Sequence, residues 1–216
     1  MTTEDSNMDF FVTILHFFQK GGFMMYPIAI VLALSVAITI ERWLFLSRVE
    51  RENRKLWREA APLLANGDIA TVEQLAAGSD TAVGRILSAG AAQARVDRHR
   101  NEVETATEEA LMEVLPAVEK RTHYLATFSN MSTLLGLLGT VIGLIGAFAA
   151  LGNADPTEKA DLLSRGISEA MNCTAFGLMV AIPTLIVHAW LQARTTELID
   201  SLEAACTKFV SAAARK

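Results

Sequence analysis

The chain has 216 residues, of which 51% are hydrophobic and only 20% charged, a more apolar composition than an ordinary soluble domain has. The apolar residues are concentrated in three stretches of roughly 20 residues, the length that crosses a bilayer as a helix. The net charge of −5 excludes a strongly basic nucleic-acid-binding protein. The two cysteines lie in different segments and do not indicate a disulfide framework. We therefore expect an all-α membrane protein.

The N-terminal segment, residues 1–22, is predicted to be an amphipathic helix on the outer membrane surface. It contains the sequence FFVTILHFF, whose aromatic and aliphatic side chains fall largely on one helical face. Its acidic start does not match a cleaved signal peptide. We therefore expect residues 23–46 to be retained as the first transmembrane helix, with Pro27 in its first turn, where a helix tolerates proline.

Residues 47–125 are predicted to form a cytoplasmic helical region, because they show no alternating β-pattern. The first span is expected to continue into water as a helix and to end near Asn66. A short helix at residues 71–77 follows, and Ser79 is expected to cap the next one. A long polar helix is then expected to run directly into the second span, with a bend at Pro116.

Residues 126–151 and 169–191 are predicted to be the second and third transmembrane helices. An outer loop at 152–168 joins them, and residues 192–216 are predicted to form a cytoplasmic C-terminal helix. Basic residues cluster at one end of each span: Arg42, Arg48, Arg51, Arg54, Lys55 and Arg58 after the first, Lys120 and Arg121 before the second, and Arg194 after the third. Since Lys and Arg favour the cytoplasmic side, the N-terminus is predicted to lie outside and the C-terminus inside.

A stripe of glycines runs along the second span, within the sequence LLGLLGTVIGLIGAF. Gly136, Gly139, Gly143 and Gly146 recur at steps of three and four, which places them on one side of a helix. Lipid tails do not drive helices together, so such a stripe is typical of helices that pack closely. Gly177 in the third span is assigned the same packing role.

Polar residues recur inside the second and third spans, where they normally face the protein interior or a water-filled cavity. The third span carries Ala170, Thr174, Gly177, Ala181, Thr184 and His188 at steps of four and three, and the second carries Ser129, Asn130, Thr133 and Thr140. Thr140 and Thr174 lie deep in their spans and are predicted to line an ion pathway. Asn130, Thr133 and Asn172 are further pore-lining candidates. For Thr184, helix–helix hydrogen bonding is favoured.

No carboxylate lies deep in any span, although ion-driven machines need an ionisable group within the membrane. Glu41 lies at the inner end of the first span and Glu169 at the outer start of the third. If H⁺ or Na⁺ crosses, a partner must supply the titrating group. The histidines have no second ligand at helical spacing, so neither a metal site nor a catalytic residue is predicted.

Two motifs resemble the paired signatures of the ExbB/TolQ/MotA ion-channel family. They are GLLGTVIGLIGAF with Thr140 and GISEAMNCTAFGLMVAIP with Thr174. Two further segments, FFQKGGFMMYPIAIVLALSVAITIERWLFL and DTAVGRILSAG, are similar to the ExbB branch in particular. Three spans rather than four also favour the ExbB/TolQ branches over MotA.

The resemblance implies a homopentamer in the bacterial inner membrane that encloses two copies of an ExbD/TolR-like single-span protein. A membrane Asp of that partner would take up H⁺ or Na⁺, and no cofactor would be needed. Thr140 and Thr174 match the pore-facing threonines of the family, and Glu169 matches its glutamate at the outer end of the third span. The implied function is an ion-driven, rotary stator that passes work to the periplasm or outer membrane, with a TonB-like protein as an optional further partner.

The chain departs from the family pattern just before LLGLLGTV, where a proline is usual and the sequence Asn-Met-Ser-Thr occupies residues 130–133. The bend at the inner mouth is then either absent or supplied by hydroxyl bonding back to the helix. An alternative from another functional class is a structural membrane scaffold, in which the glycines and threonines only pack helices.

Overall fold

The computed structural model describes residues 21–97, 99–152 and 155–214. These ranges contain α1 (Met25–Ala65), α2 (Ile69–Ala77), α3 (Ala82–Val96), α4 (Arg100–Glu119), α5 (Thr122–Leu151) and α6 (Lys159–Ala213). They contain no strand, which confirms the expected all-α class for the described residues. The amphipathic helix predicted at 1–22 lies outside them except for its last two residues.

Three helical stretches are long and apolar enough to cross a membrane: Met25–Ala65, Arg100–Leu151 and Lys159–Ala213. They contain the three apolar segments predicted from the sequence. The chain is therefore a membrane protein by composition and helix length, while the side on which each end lies remains a prediction.

The chain divides into two compact units, which are described separately. The membrane unit comprises Met1–Thr39 and His123–His188, and holds the apolar parts of α1, α5 and α6. The polar unit comprises Ile40–Thr122 and Ala189–Lys216, and holds the remaining helical segments.

The polar unit has its own hydrophobic core, because each of its helices buries one apolar side. Val72, Ile86, Leu87, Leu202 and Phe209 are completely buried there. The C-terminal part of α6 contributes buried residues at helical spacing: Leu198, Leu202, Ala205 and Phe209. This unit is therefore stabilised by ordinary apolar burial.

The start of α3 differs from the prediction. Thr81, not Ser79, is the N-cap, and its hydroxyl accepts a hydrogen bond from the Gly84 N–H at 3.0 Å. The Ser79 hydroxyl lies 3.0 Å from that of Thr81 and supports the cap indirectly. By contrast, α1 ends at Ala65, one residue before the predicted end.

The expectation of one uninterrupted helix leading into the second span is wrong. α4 ends at Glu119 and α5 begins at Thr122, and between them Arg121 has a φ of 69°. Such a φ is rare for a residue with a side chain and ends a right-handed helix. Pro116 lies inside α4 and weakens the last turns before this break, because it cannot donate a backbone hydrogen bond.

The outer loop also differs from its predicted extent. α6 begins at Lys159, ten residues before the predicted third span, so much of the segment assigned to a loop at 152–168 is helical.

Arg42 of α1 stabilises the end of α4. Its side chain is only 2% exposed, and it donates hydrogen bonds to the carbonyl oxygens of Ala117, at 3.4 Å, and Val118. A cation at a helix C-terminus also interacts favourably with the helix dipole. The adjacent Glu41 forms an ion pair with Arg121 at 3.4 Å. Two neighbouring residues of α1 therefore contact the end of α4 and the residue at the break.

We predict that Arg42→Met destabilises the polar unit by about 2 kcal/mol, since it removes charge-assisted hydrogen bonds from buried carbonyls. Denaturant unfolding of the detergent-solubilised protein, followed by its helical circular dichroism, measures the change. Arg48→Ala is the matched control, because Arg48 lies on the same helix with an exposed ion pair to Glu52. Equal effects of the two substitutions would contradict the assigned role of Arg42.

Candidate functional site: the contact between α5 and α6

The candidate site lies in the membrane unit, where α5 and α6 pack against each other at Gly136 and Gly177. A Cβ atom added to Gly177 would lie 2.6 Å from the Ser132 carbonyl oxygen and 3.0 Å from the Gly136 Cα. A Cβ added to Gly136 would lie 3.2 Å from the Thr174 Cα. The two backbones therefore touch, and this proximity requires glycine on both helices.

The close contact continues from Gly136 toward the start of α6. A Cβ on Gly139 would overlap the sulfur of the buried Cys173, and a Cβ on Gly143 would lie 3.0 Å from the Ala170 Cβ. Gly166 extends the stripe, since a Cβ there would overlap that of Ala147. Gly166 was not among the predicted packing glycines, although it lies four residues before Ala170 and thus on the same side of the helix.

Gly146 does not share this packing. No described atom lies within 4 Å of a Cβ placed there, because Gly146 borders a cavity of about 400 Å³ between the helices. Its predicted packing role has no partner within the described part of the chain.

Two side-chain hydrogen bonds join the helices. Thr174 donates from Oγ1 to the Gly136 carbonyl at 2.8 Å, and Ser129 donates from Oγ to the Ala181 carbonyl at 2.8 Å. Both bonds depend on the short backbone separation. Thr184, for which helix–helix bonding was favoured, instead donates to Val180 of its own helix at 2.7 Å, so that prediction is wrong.

Thr140 is placed differently from Thr174. Its hydroxyl donates to the Leu137 carbonyl in its own helix at 2.6 Å, and the side chain is partly exposed. The Thr140 hydroxyl proton is thus already hydrogen-bonded to a backbone carbonyl of its own helix, while the lone pairs of its oxygen remain available as acceptors. The structure gives Thr140 and Thr174 separate hydrogen-bond partners and does not bring the two hydroxyls together through a bond.

The first half of α5 contains residues 130–133, where the family pattern has a proline. Thr133 donates to the Ser129 carbonyl at 3.2 Å, which is the back-bonding considered from the sequence. α5 runs without interruption through this region. Asn130 is exposed, Asn172 of α6 is half-buried, and the buried Ser132 hydroxyl has no partner among the described residues.

Glu169 lies near the start of α6 and borders the same cavity as Gly146. Arg165, one helical turn earlier, also lines it, together with Gly139, Gly143 and Gly166. Among the residues that the structure describes, the ionisable groups of this cavity are therefore both on α6.

No group of three or more His, Cys, Asp or Glu residues in the described ranges is arranged to hold a metal ion. In the polar unit, burial raises the pKa of the Cys206 thiol to about 11, so this cysteine stays protonated at neutral pH.

We predict that Gly177→Ala destabilises the helix contact by about 2 kcal/mol, since the added methyl group overpacks a backbone–backbone contact. Gly146→Ala is the matched control, because its methyl group would enter open space. Thermal unfolding of both variants in the same detergent, followed by circular dichroism, compares them. A Gly177→Ala variant as stable as the control would show that the backbones do not approach as described.

Comparison with known proteins identifies the family. The sequence model of the MotA/TolQ/ExbB proton channel family matches residues 78–204. A Synechocystis sp. protein named biopolymer transport protein ExbB-like 3 is 31% identical over 170 residues, which cover 78% of this chain and 80% of the relative. An ExbB homolog of Methanothermobacter thermautotrophicus is 29% identical over 202 residues, covering 92% and 70% of the two chains. The Tol-Pal system protein TolQ of Haemophilus influenzae is 35% identical over 89 residues, covering 41% and 39%. The chain belongs to the MotA/TolQ/ExbB proton channel family.

Proposed function

We propose that the chain is an ExbB/TolQ-like stator subunit of the bacterial inner membrane. With an ExbD/TolR-like partner it couples the flow of H⁺, or Na⁺, to work at the periplasm or outer membrane. TonB-type transport is the favoured process, because two segments of the sequence resemble the ExbB branch in particular, and several relatives carry ExbB names. The role is transport rather than catalysis.

The placement of Thr140 carries this proposal. A scaffold that only packs helices accounts for Thr174 and Ser129, since both hydroxyls bond to the neighbouring helix. It does not account for Thr140, whose hydroxyl bonds within its own helix and remains partly exposed. A hydroxyl presented in a segment without Asp, Glu, Lys or Arg is suited to replace part of the hydration shell of an ion.

The partner is required because the spans lack a deep carboxylate. Between Glu169 and Arg194, α6 has no Asp, Glu, Lys or Arg, and α5 has none at all. We propose that a single-span partner brings a membrane Asp to the side of α5 and α6 that carries the Thr140 and Thr174 hydroxyls. A homopentamer around two copies of the partner helix would place several such surfaces around it.

Pore-facing roles are proposed for Thr140 and Thr174, and Glu169 is proposed to stand at the outer end of the pathway. Asn130, Thr133 and Asn172 are proposed to add polar groups along it. The close packing of α5 and α6 keeps the surface that carries these threonines narrow. It depends on Gly136, Gly139, Gly143 and Gly177.

The proposed orientation places the N-terminus and the segment before α6 outside, with the polar unit and C-terminus in the cytoplasm. It is supported by the basic residues at the inner ends of the spans. Trp43 and Trp190 fall at those same ends and are half-exposed, as is usual for tryptophans at a membrane–water interface.

We predict that Thr140→Val lowers partner-dependent ion flux at least about tenfold, equivalent to a barrier increase of ~1.4 kcal/mol. Assembly should be unchanged, because the lost hydrogen bond lies within one helix. Thr174→Val should lower both flux and the stability of the helix contact. Flux is measured with a pH- or Na⁺-sensitive dye in vesicles of the native host that carry each variant.

Thr184→Val is the matched control, since its hydroxyl also bonds back to its own helix but lies outside the proposed pathway. It should leave flux near the wild-type value. If Thr140→Val assembles normally and retains full flux, Thr140 does not line the pathway. If the wild-type complex itself shows no partner-dependent flux, the scaffold alternative is correct.

A further inference from the structure

Gly22 lies against the carboxylate of Glu169 at the outer end of the membrane unit. The φ of Gly22 is 74°, in the left-handed region that favours glycine. A Cβ atom at this position would overlap Oε1 of Glu169 and lie 2.8 Å from its Cδ. A side chain at position 22 is therefore disfavoured by backbone strain, and it would also displace the exposed, flexible carboxylate of Glu169 from its place beside the turn.

The segment around Gly22 forms a turn that leads into α1. The Met25 N–H donates to the Gly22 carbonyl at 3.3 Å. Gly21, Phe23 and Met24 from this segment line the cavity of about 400 Å³ that Glu169 also borders. The turn therefore forms the wall of the cavity against which the Glu169 carboxylate rests.

We propose that Gly22 is a positioning residue for Glu169. Because Gly22 has no side chain, the carboxylate can lie against the turn, which holds it in one orientation beside the cavity. Without this wall, the long Glu side chain would be free to sample several rotamers. The effect on transport rests on the proposed function, in which Glu169 belongs to the ion pathway, whereas the contact itself does not.

The chain offers a matched control for the backbone strain. Gly67, in the polar unit, has the same φ of 74°, but no described atom lies within 4 Å of a Cβ placed there. Gly67→Ala therefore introduces the left-handed backbone strain alone. Gly22→Ala introduces the strain together with the collision. A difference between the two variants at Glu169 isolates the contact.

The test measures the reactivity of Glu169 directly. Native membranes containing the full complex are treated with dicyclohexylcarbodiimide, and the labelling rate of Glu169 is followed by mass spectrometry of its peptide. We expect Gly22→Ala to change the rate about fivefold or more, the factor that ~1 kcal/mol produces, because the displaced carboxylate leaves the wall. Gly67→Ala should keep the wild-type rate. An unchanged rate in Gly22→Ala would overturn the proposal.

A double substitution tests whether the collision is the cause. Glu169→Asp shortens the side chain by one methylene, so Gly22→Ala/Glu169→Asp should label at the rate of Glu169→Asp alone. If the single Gly22→Ala variant does not accumulate in the membrane, recovery of accumulation in the double variant supports the proposal. Failure of the double variant to recover would show strain rather than the contact, and would overturn it.

Ion flux, measured on the same membranes, separates this proposal from the proposed function. Changed labelling with reduced flux in Gly22→Ala supports both. Changed labelling with normal flux supports the positioning role of Gly22 but contradicts the place of Glu169 in the pathway.

Discussion

The contact between the backbones of α5 and α6 at Gly136 and Gly177 is the constraint on which the membrane unit depends. In lipid, apolar burial does not favour one helix pair over another, so close packing and interhelical hydrogen bonds must do so. The Thr174 hydroxyl reaches the Gly136 carbonyl only because no side chain separates the two backbones. A larger residue at Gly177 would disrupt the packing and the hydrogen bond together, because its Cβ would lie 2.6 Å from the Ser132 carbonyl oxygen.

The polar unit is stabilised by burial of apolar side chains, not by close contact between helix backbones. Its helices bury their apolar sides in a separate core. The buried side chain of Arg42, from α1, donates hydrogen bonds to carbonyl oxygens at the end of α4. The break at Arg121 lies beside this arginine and is further held by Glu41. One helix, α1, therefore contributes an apolar segment to the membrane unit and a capping cation to the polar unit.

Periodicity predicted much of this fold, because glycine or apolar residues that recur every three or four positions lie on one face of a helix, and that face is the one that packs. The α5–α6 stripe and the buried side of the C-terminal segment follow from spacing, whereas the end of α1 was predicted from a helix stop signal near Asn66. The break at Arg121 could not be predicted in this way, since a positive φ at arginine depends on tertiary contacts. The same holds for the hydrogen bonds: spacing placed Thr140, Thr174 and Thr184 inside their spans, but the partner of each hydroxyl depends on a backbone separation that the sequence does not reveal. Gly22 carried no periodic signal, and its contact with Glu169 emerged only in three dimensions.

The central claim is that Thr140 faces water within the assembled complex, whereas Val141, about 100° further round the helix, does not. The direct measurement is the reaction of Thr140→Cys and Val141→Cys variants with a charged methanethiosulfonate in native membranes, with Cys173 and Cys206 replaced by Ala. The account predicts that Thr140→Cys reacts and that Val141→Cys does not. Absence of reaction at both positions, or equal reaction at both, would contradict an ion pathway along this side of α5.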